Sequence, residues 1–159
     1  MRAPIIAGSL FAALAAATAI AVPQAEKIMI HHFAARAEVG PHIIKVKAVA
    51  FEISGRDVDG EMCTADNPVF PKPKEITPCG SPRFRFTLHR GINRNEFGIH
   101  LYYEPTPGIE YHGFGSVPTA CRQAKVEGPE HLVCIQAGGA RSLALDGSTP
   151  PPDEFYTDE

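Results

Sequence analysis

The sequence predicts an all-β fold, a small disulfide-stapled antiparallel β-barrel or sandwich. Apolar residues recur with a period of two, and hardly any stretch shows the 3.6-residue period of a helix. About seven such runs are separated by turn residues rich in glycine and proline. Four cysteines, Cys63, Cys79, Cys121 and Cys134, are an even set suited to stapling a modest core.

The chain opens with Met1-Arg2 and then an uncharged apolar run from Ile5 to about Val22. Ala19-Ile20-Ala21 places small residues at −3 and −1, so residues 1–21 read as a signal peptide cleaved after Ala21. A membrane anchor is the competing reading, since the run is almost long enough to span a bilayer. No basic stop-transfer flank follows, however, and Pro23 comes at once. An exported, extracellular protein is expected. Removing residues 1–21 takes away one arginine, so the formal charge of −3 becomes −4. That mild acidity argues against nucleic acid as a partner. Arg83, Arg85, Arg90 and Arg94 gather locally and read as the solvated face of a hairpin.

A single β domain is expected over residues 22–147. Ile28 to Ala37 forms a first strand with ragged alternation. From Ile43 to Ile53 the parity changes: Ile44 and Val46 share one phase, Val49, Phe51 and Ile53 the other. A strand with one face in the core changes phase only through an extra residue, so a bulge is expected near Lys47-Ala48. Ser54 to Gly60 is a turn. Between Cys63 and Cys79 lie Pro68, Pro71, Pro73 and Pro78, which predict an irregular loop with Phe70 plugging it onto the core.

Phe84, Phe86 and Leu88 alternate with Arg83, Arg85 and Thr87, and Phe97, Ile99 and Leu101 repeat the pattern after a polar turn at 89–95. These make a hairpin. Pro105, Pro107 and Gly108 break the chain after Glu104. Tyr111 to Val117 is a further strand whose Gly113 and Gly115 share a face and allow a neighbour to approach closely. Leu132–Ala137 and Arg141–Leu145 read as a last pair around Gly138-Gly139. Residues 148–159, with three prolines and four carboxylates, read as a disordered acidic tail.

An even cysteine count in an exported domain reads as disulfides, with three connectivities to choose from. The spacings suggest the local pairs Cys63–Cys79 and Cys121–Cys134, each worth roughly 3 kcal/mol in the chain-entropy model. Zinc is the rival, but neither pair has the short C-x₂₋₄-C spacing of a zinc site. The seven histidines fall at no ligand spacing, and adjacent His31 and His32 should point to opposite faces, so no metal is expected. No cofactor motif, nucleophile elbow or N-glycosylation sequon is present.

Val117-Pro118-Thr119-Ala120-Cys121-Arg122, with Gly128-Pro129-Glu130-His131-Leu132-Val133-Cys134 after it, resembles the C-terminal signature of the Alternaria major-allergen (Alt a 1-like) family of fungal secreted proteins. Cys79-Gly80, Phe84-Arg85-Phe86, Asn95-Glu96-Phe97-Gly98-Ile99 and Tyr102-Tyr103-Glu104 are similar to the same family upstream. The resemblance runs over about residues 28–146, and only 117–136 is specific. It implies a fungal β-barrel with disulfides between neighbouring cysteines and no established catalytic activity. It also implies an allergen, or an effector or elicitor that binds a host protein or a small phenolic ligand. Gln123-Ala124-Lys125-Val126 stands where the family has a Gly-rich loop, so loop-borne binding does not carry over. The mature chain has no cysteine before Cys63, so a disulfide-linked dimer is not expected.

Tyr102, Tyr103, Tyr111 and Phe114 are the candidate surface for a flat phenolic ligand. Tyr102-Tyr103-Glu104, followed by prolines, is also similar to a strand of small fungal guanyl-specific ribonucleases. In that enzymatic alternative Glu104 is the base, Arg122 holds phosphate and His131 is the acid, with His89 or His100 as a second imidazole. A non-catalytic binding protein is the leading reading. A secreted hydrolase and a cell-wall structural protein are the alternatives.

Overall fold

The computed structural model describes residues 26–40, 44–124 and 131–151. Residues 1–25, 41–43, 125–130 and 152–159, with the expected signal peptide and most of the expected tail, lie outside the described residues. Among the described residues there are nine strands: β1 (Glu26–Val39), β2 (Ile44–Ser54), β3 (Glu61–Asp66), β4 (Thr77–Pro78), β5 (Phe84–Arg90), β6 (Glu96–Thr106), β7 (Ile109–Ala124), β8 (His131–Gln136) and β9 (Arg141–Leu145). They follow the order β3-β2-β1-β8-β7-β6-β5-β4, with β9 also on β1, and every pairing is antiparallel. The disulfide Cys63–Cys79 ties the two ends of that path, and Gly80 N–H donates to the Met62 carbonyl beside it (3.0 Å). The architecture is a nearly closed barrel.

Two bulges shape β1 and β2. In β1 the buried apolar residues are Ile28 and Ile30, then Phe33, Ala35 and Ala37. The phase changes at His32, whose φ is 53°, where β1 carries one residue more than β2. This is why the alternation looks ragged in the sequence, and why the rings of His31 and His32, expected on opposite faces, sit 6.1 Å apart. In β2 Arg36 pairs with Ala48 and Ala37 with Val46, so Lys47 is the extra residue. The expected bulge is there. Its carbonyl accepts from Asn67 N–H (2.8 Å).

The barrel interior is filled by aromatic and branched side chains. Phe33 contacts Phe51 and Phe97, Phe51 meets Phe86 edge-on at 4.9 Å, and Phe70 lies on Phe97 at 5.6 Å. Phe70 thus caps the core from the proline-rich loop, as expected. That loop is shorter than the cysteine spacing suggested, because β3 continues past Cys63 to Asp66.

Three further sequence expectations are corrected. Leu132–Ala137 and Arg141–Leu145 do not pair with each other. Both lie on β1, β8 against residues 34–38 and β9 against 26–30, as one strand broken opposite the His32 bulge. The strand expected to end at Val117 continues, and Pro118 lies inside the 16-residue β7. Here β7 leaves β6 and joins β8, so the ladder changes partner where proline has no N–H to give. The break expected after Glu104 comes later, since β6 runs to Thr106 and turns at Pro107-Gly108, with Gly108 at φ 85°. The glycine face of β7 does receive a neighbour: a Cβ on Gly113 would lie 1.9 Å from the Ala144 carbonyl oxygen of β9. Ser148, assigned from sequence to the tail, accepts from Phe114 N–H (3.0 Å), so the chain stays on the barrel beyond β9.

Candidate functional site

The outer face of β5, β6 and β7 is built by the same alternation that fills the core. With Phe84, Phe86 and Leu88 inward, Arg85, Thr87 and His89 must face outward. Register then places Arg85 beside Tyr102, Thr87 beside His100, Tyr102 beside His112, and His100 beside Phe114. Thr87 and His100 are 7% and 5% exposed, although they lie on the outside of the sheet. Side chains of the same face cover them.

A hydrogen-bonded chain runs through this face. Tyr102 Oη lies 2.9 Å from His100 Nδ1, and His100 Nε2 lies 3.1 Å from His112 Nδ1. His89 Nε2 is 2.8 Å from Thr87 Oγ1, and its ring meets Phe114 edge-on. Gly98 makes room for Phe114, because a Cβ there would fall 2.6 Å from the ring. Burial lowers the pKa of His100 to about 4, helped by His112 and then His89. Burial also raises the Tyr102 phenol. His100 is therefore a neutral imidazole near neutral pH, and with Tyr102 it forms a donor–acceptor pair against an aromatic ring. Below it, Arg85 sits between the carboxylates of Glu104 (3.3 Å) and Glu110. Two carboxylates on one guanidinium leave no excess positive charge for a phosphate.

The four aromatic candidates divide between the two faces. Tyr102 and Phe114 belong to the outer cluster. Tyr103 is 2% exposed, stacks on Phe84 at 4.5 Å, and binds Arg83 Nη2 (2.9 Å) and Asp57 (3.3 Å) through its hydroxyl. Tyr111 pairs opposite it and packs partly buried on the core. No ligand on the outer face can touch that inner pair.

The residues of the ribonuclease alternative are not brought together. Glu104 is held at the Glu110 end of the barrel by Arg85 and by Gly108 N–H (3.0 Å). Arg122 lies near the other end of β7, roughly 40 Å along the strand at about 3.3 Å per residue. His131 is on β8 opposite Ala124, near Arg122 and far from Glu104. His89 and His100 lie in the outer cluster with Glu104, whereas Arg122 lies beyond Pro118 on the β8-paired half of β7. Among the described residues no three His, Cys, Asp or Glu side chains are arranged to hold a metal ion. Both disulfides join the locally spaced cysteines, and Cys121 lies directly opposite Cys134 on β8.

The His100–His112 contact is what sequence reasoning missed. The spacing of His100 and Tyr102 signals a shared face, but His112 joins them only through the β6–β7 register.

Comparison with known proteins places this barrel. The profile of the family described as Alternaria alternata allergen 1 matches residues 30–134, well over half of the chain. The chain belongs to that family. A relative from Verticillium dahliae, named effector protein PevD1, is 32% identical over 109 residues, covering 69% of this chain and 66% of its own length. The same protein from the VdLs.17 strain matches equally. The chain thus spans just under two thirds of the curated relatives it matches. Two crystal structures of the Alternaria alternata allergen Alt a 1 share the fold. One superposes with a TM-score of 0.55 at 21% identity, covering 74% of this chain and 89% of the allergen. The other gives 0.56 at 20%, covering 80% and 93%.

Proposed function

We propose that this chain is a fungal protein exported from the cell that acts on a host by binding, not by catalysis, as an effector or allergen-like protein. The observation that carries the reading is its 32% identity, over 109 residues, to an effector protein. The apolar leader ending at Ala21 supports export, and the two disulfides suit an oxidising extracellular space. The dispersal of Glu104, Arg122 and His131 supports binding over ribonuclease chemistry.

Purified oxidised protein beginning at Val22, infiltrated into leaf tissue, is expected to elicit a defence response. The Glu104→Ala variant should elicit it equally. RNA cleavage by the wild type that disappears in Glu104→Ala would replace this reading with the enzymatic one. Recovery of the natural protein only from the hyphal wall would favour a structural role.

The outer cluster supports a phenolic ligand or a host-protein contact at Tyr102 and Phe114. Their replacement by Ala should abolish ligand-induced fluorescence changes. Tyr103→Ala is uninformative, because that ring belongs to the core.

A further inference from the structure

We infer that the slot between β3 and β5, beyond the short β4, docks an extended peptide strand from a partner protein, one carrying aliphatic and basic side chains. The barrel closes imperfectly at this point. Gly80 N–H donates to the Met62 carbonyl and Cys79 N–H to the Phe84 carbonyl (2.8 Å), so β4 and the residues after it bridge β3 to β5 at the disulfide end. These bonds fix which main-chain groups face the slot. Alternate residues of an antiparallel strand turn both N–H and C=O to the same side. Met62, Thr64 and Asp66 of β3 therefore face the slot, as do Phe84, Phe86 and Leu88 of β5.

Strand β4 occupies this space for two residues only, pairing Thr77 with Phe86 and Pro78 with Arg85. Stepping back from the Gly80–Met62 bond brings Pro78 level with Thr64, where proline has no N–H to offer. Before Thr77 the chain leaves the line. Asp66 on one side and Leu88 on the other then present ladder groups to a gap that no described strand fills. Exposed strand edges of this kind are the templates used in peptide recognition by strand addition. Here two edges face one slot, and β3 and β5 run in the same direction, so one added strand is antiparallel to both.

The slot opens into a cleft of about 400 Å³ lined by β3, the loop that follows it, and β5. Its charged lining residues are Asp66 and Glu75, with no cation among them, which selects a basic side chain. Val69, which lines it, is 51% exposed, which suits an aliphatic side chain on the same peptide.

The test titrates ¹⁵N-labelled, oxidised protein with the capped peptide acetyl-Val-Lys-Val-Lys-Val-amide. Amide shifts and hydrogen-exchange protection of about tenfold or more are expected at Asp66 and Leu88. The peptide N-methylated at alternate residues, made in both registers, should bind at least about tenfold more weakly, and Asp66→Lys should weaken the parent peptide similarly. Asp66→Pro removes the N–H that faces the gap without touching the β2 ladder, and should lose binding while its Tm confirms the fold. Equal binding of the N-methylated peptides, shifts centred elsewhere, or no binding at millimolar peptide would overturn the inference. So would protection of these amides in the free protein that grows with its concentration, which would put a second copy in the slot.

Discussion

The side-chain amide of Gln136 takes the place of a peptide unit opposite Phe33. Its Oε1 accepts from Phe33 N–H at 2.9 Å, while Nε2 donates to the carbonyls of Ile30 (3.2 Å) and Gly139 (2.9 Å). This happens at the last residue of β8, where its pairing with β1 has stopped, β9 has not begun, and the His32 bulge pulls β1 out of register. One side chain therefore satisfies both the bulge and the strand break.

Gln136→Leu keeps the bulk and removes those bonds. Leaving partly buried main-chain groups unpaired costs about 1–3 kcal/mol. A loss of about 2 kcal/mol in urea unfolding is expected, with exchange protection at Phe33 falling first. A variant within about 0.5 kcal/mol of wild type would mean that water replaces the amide.

Stability should fall as pH drops from about 6.5 to about 4. In the unfolded chain His100 takes up its proton near the ordinary histidine value, whereas in the barrel it waits until about 4. Between those values the unfolded state binds more protons, so acid favours unfolding. At 1.36 kcal/mol per unit the ceiling is roughly 3 kcal/mol. Urea titrations at pH 7, 5.5 and 4 measure the slope, and His100→Gln should flatten it. An unchanged slope would assign the effect to other groups.

Gly113→Ala and Gly139→Ala should behave differently. A methyl on Gly113 would meet the Ala144 carbonyl at 1.9 Å, so β9 must move, at a cost of about 2–4 kcal/mol. Gly139 has nothing within 4 Å, and its substitution should change stability by less than about 0.5 kcal/mol. Thermal melts of the two variants side by side decide the matter.

The two disulfides close loops of similar size, 16 and 13 residues in separation, and each should contribute roughly 3 kcal/mol. Their structural consequences differ. Cys121 and Cys134 are already neighbours in the β7–β8 ladder, so Cys121→Ala/Cys134→Ala should leave that pairing intact. Cys63 and Cys79 join strands that share no ladder of their own, so Cys63→Ala/Cys79→Ala should free exchange along β3 and β4 specifically. Protection retained there would show that the Gly80–Met62 bond closes the barrel unaided.

Much of this molecule is decided locally and can be read from residue order. The period of two announces strands, and the phase change between Val46 and Val49 locates the Lys47 bulge, because a half-buried strand changes phase only by inserting a residue. Gly113 and Gly115 announce a close neighbour, and cysteine spacing points to local bridges. Strand pairing is different, because ladder hydrogen bonds join main chains and carry no side-chain label. Only the folded barrel decides that β8 and β9 both lie on β1 and that β7 changes partner at Pro118. The same register brings His112 to His100 and buries Thr87 and His100 on an outer face that looks polar in the sequence. The slot beside Leu88 is likewise a property of closure: a strand two residues long leaves its neighbours' edges unmet.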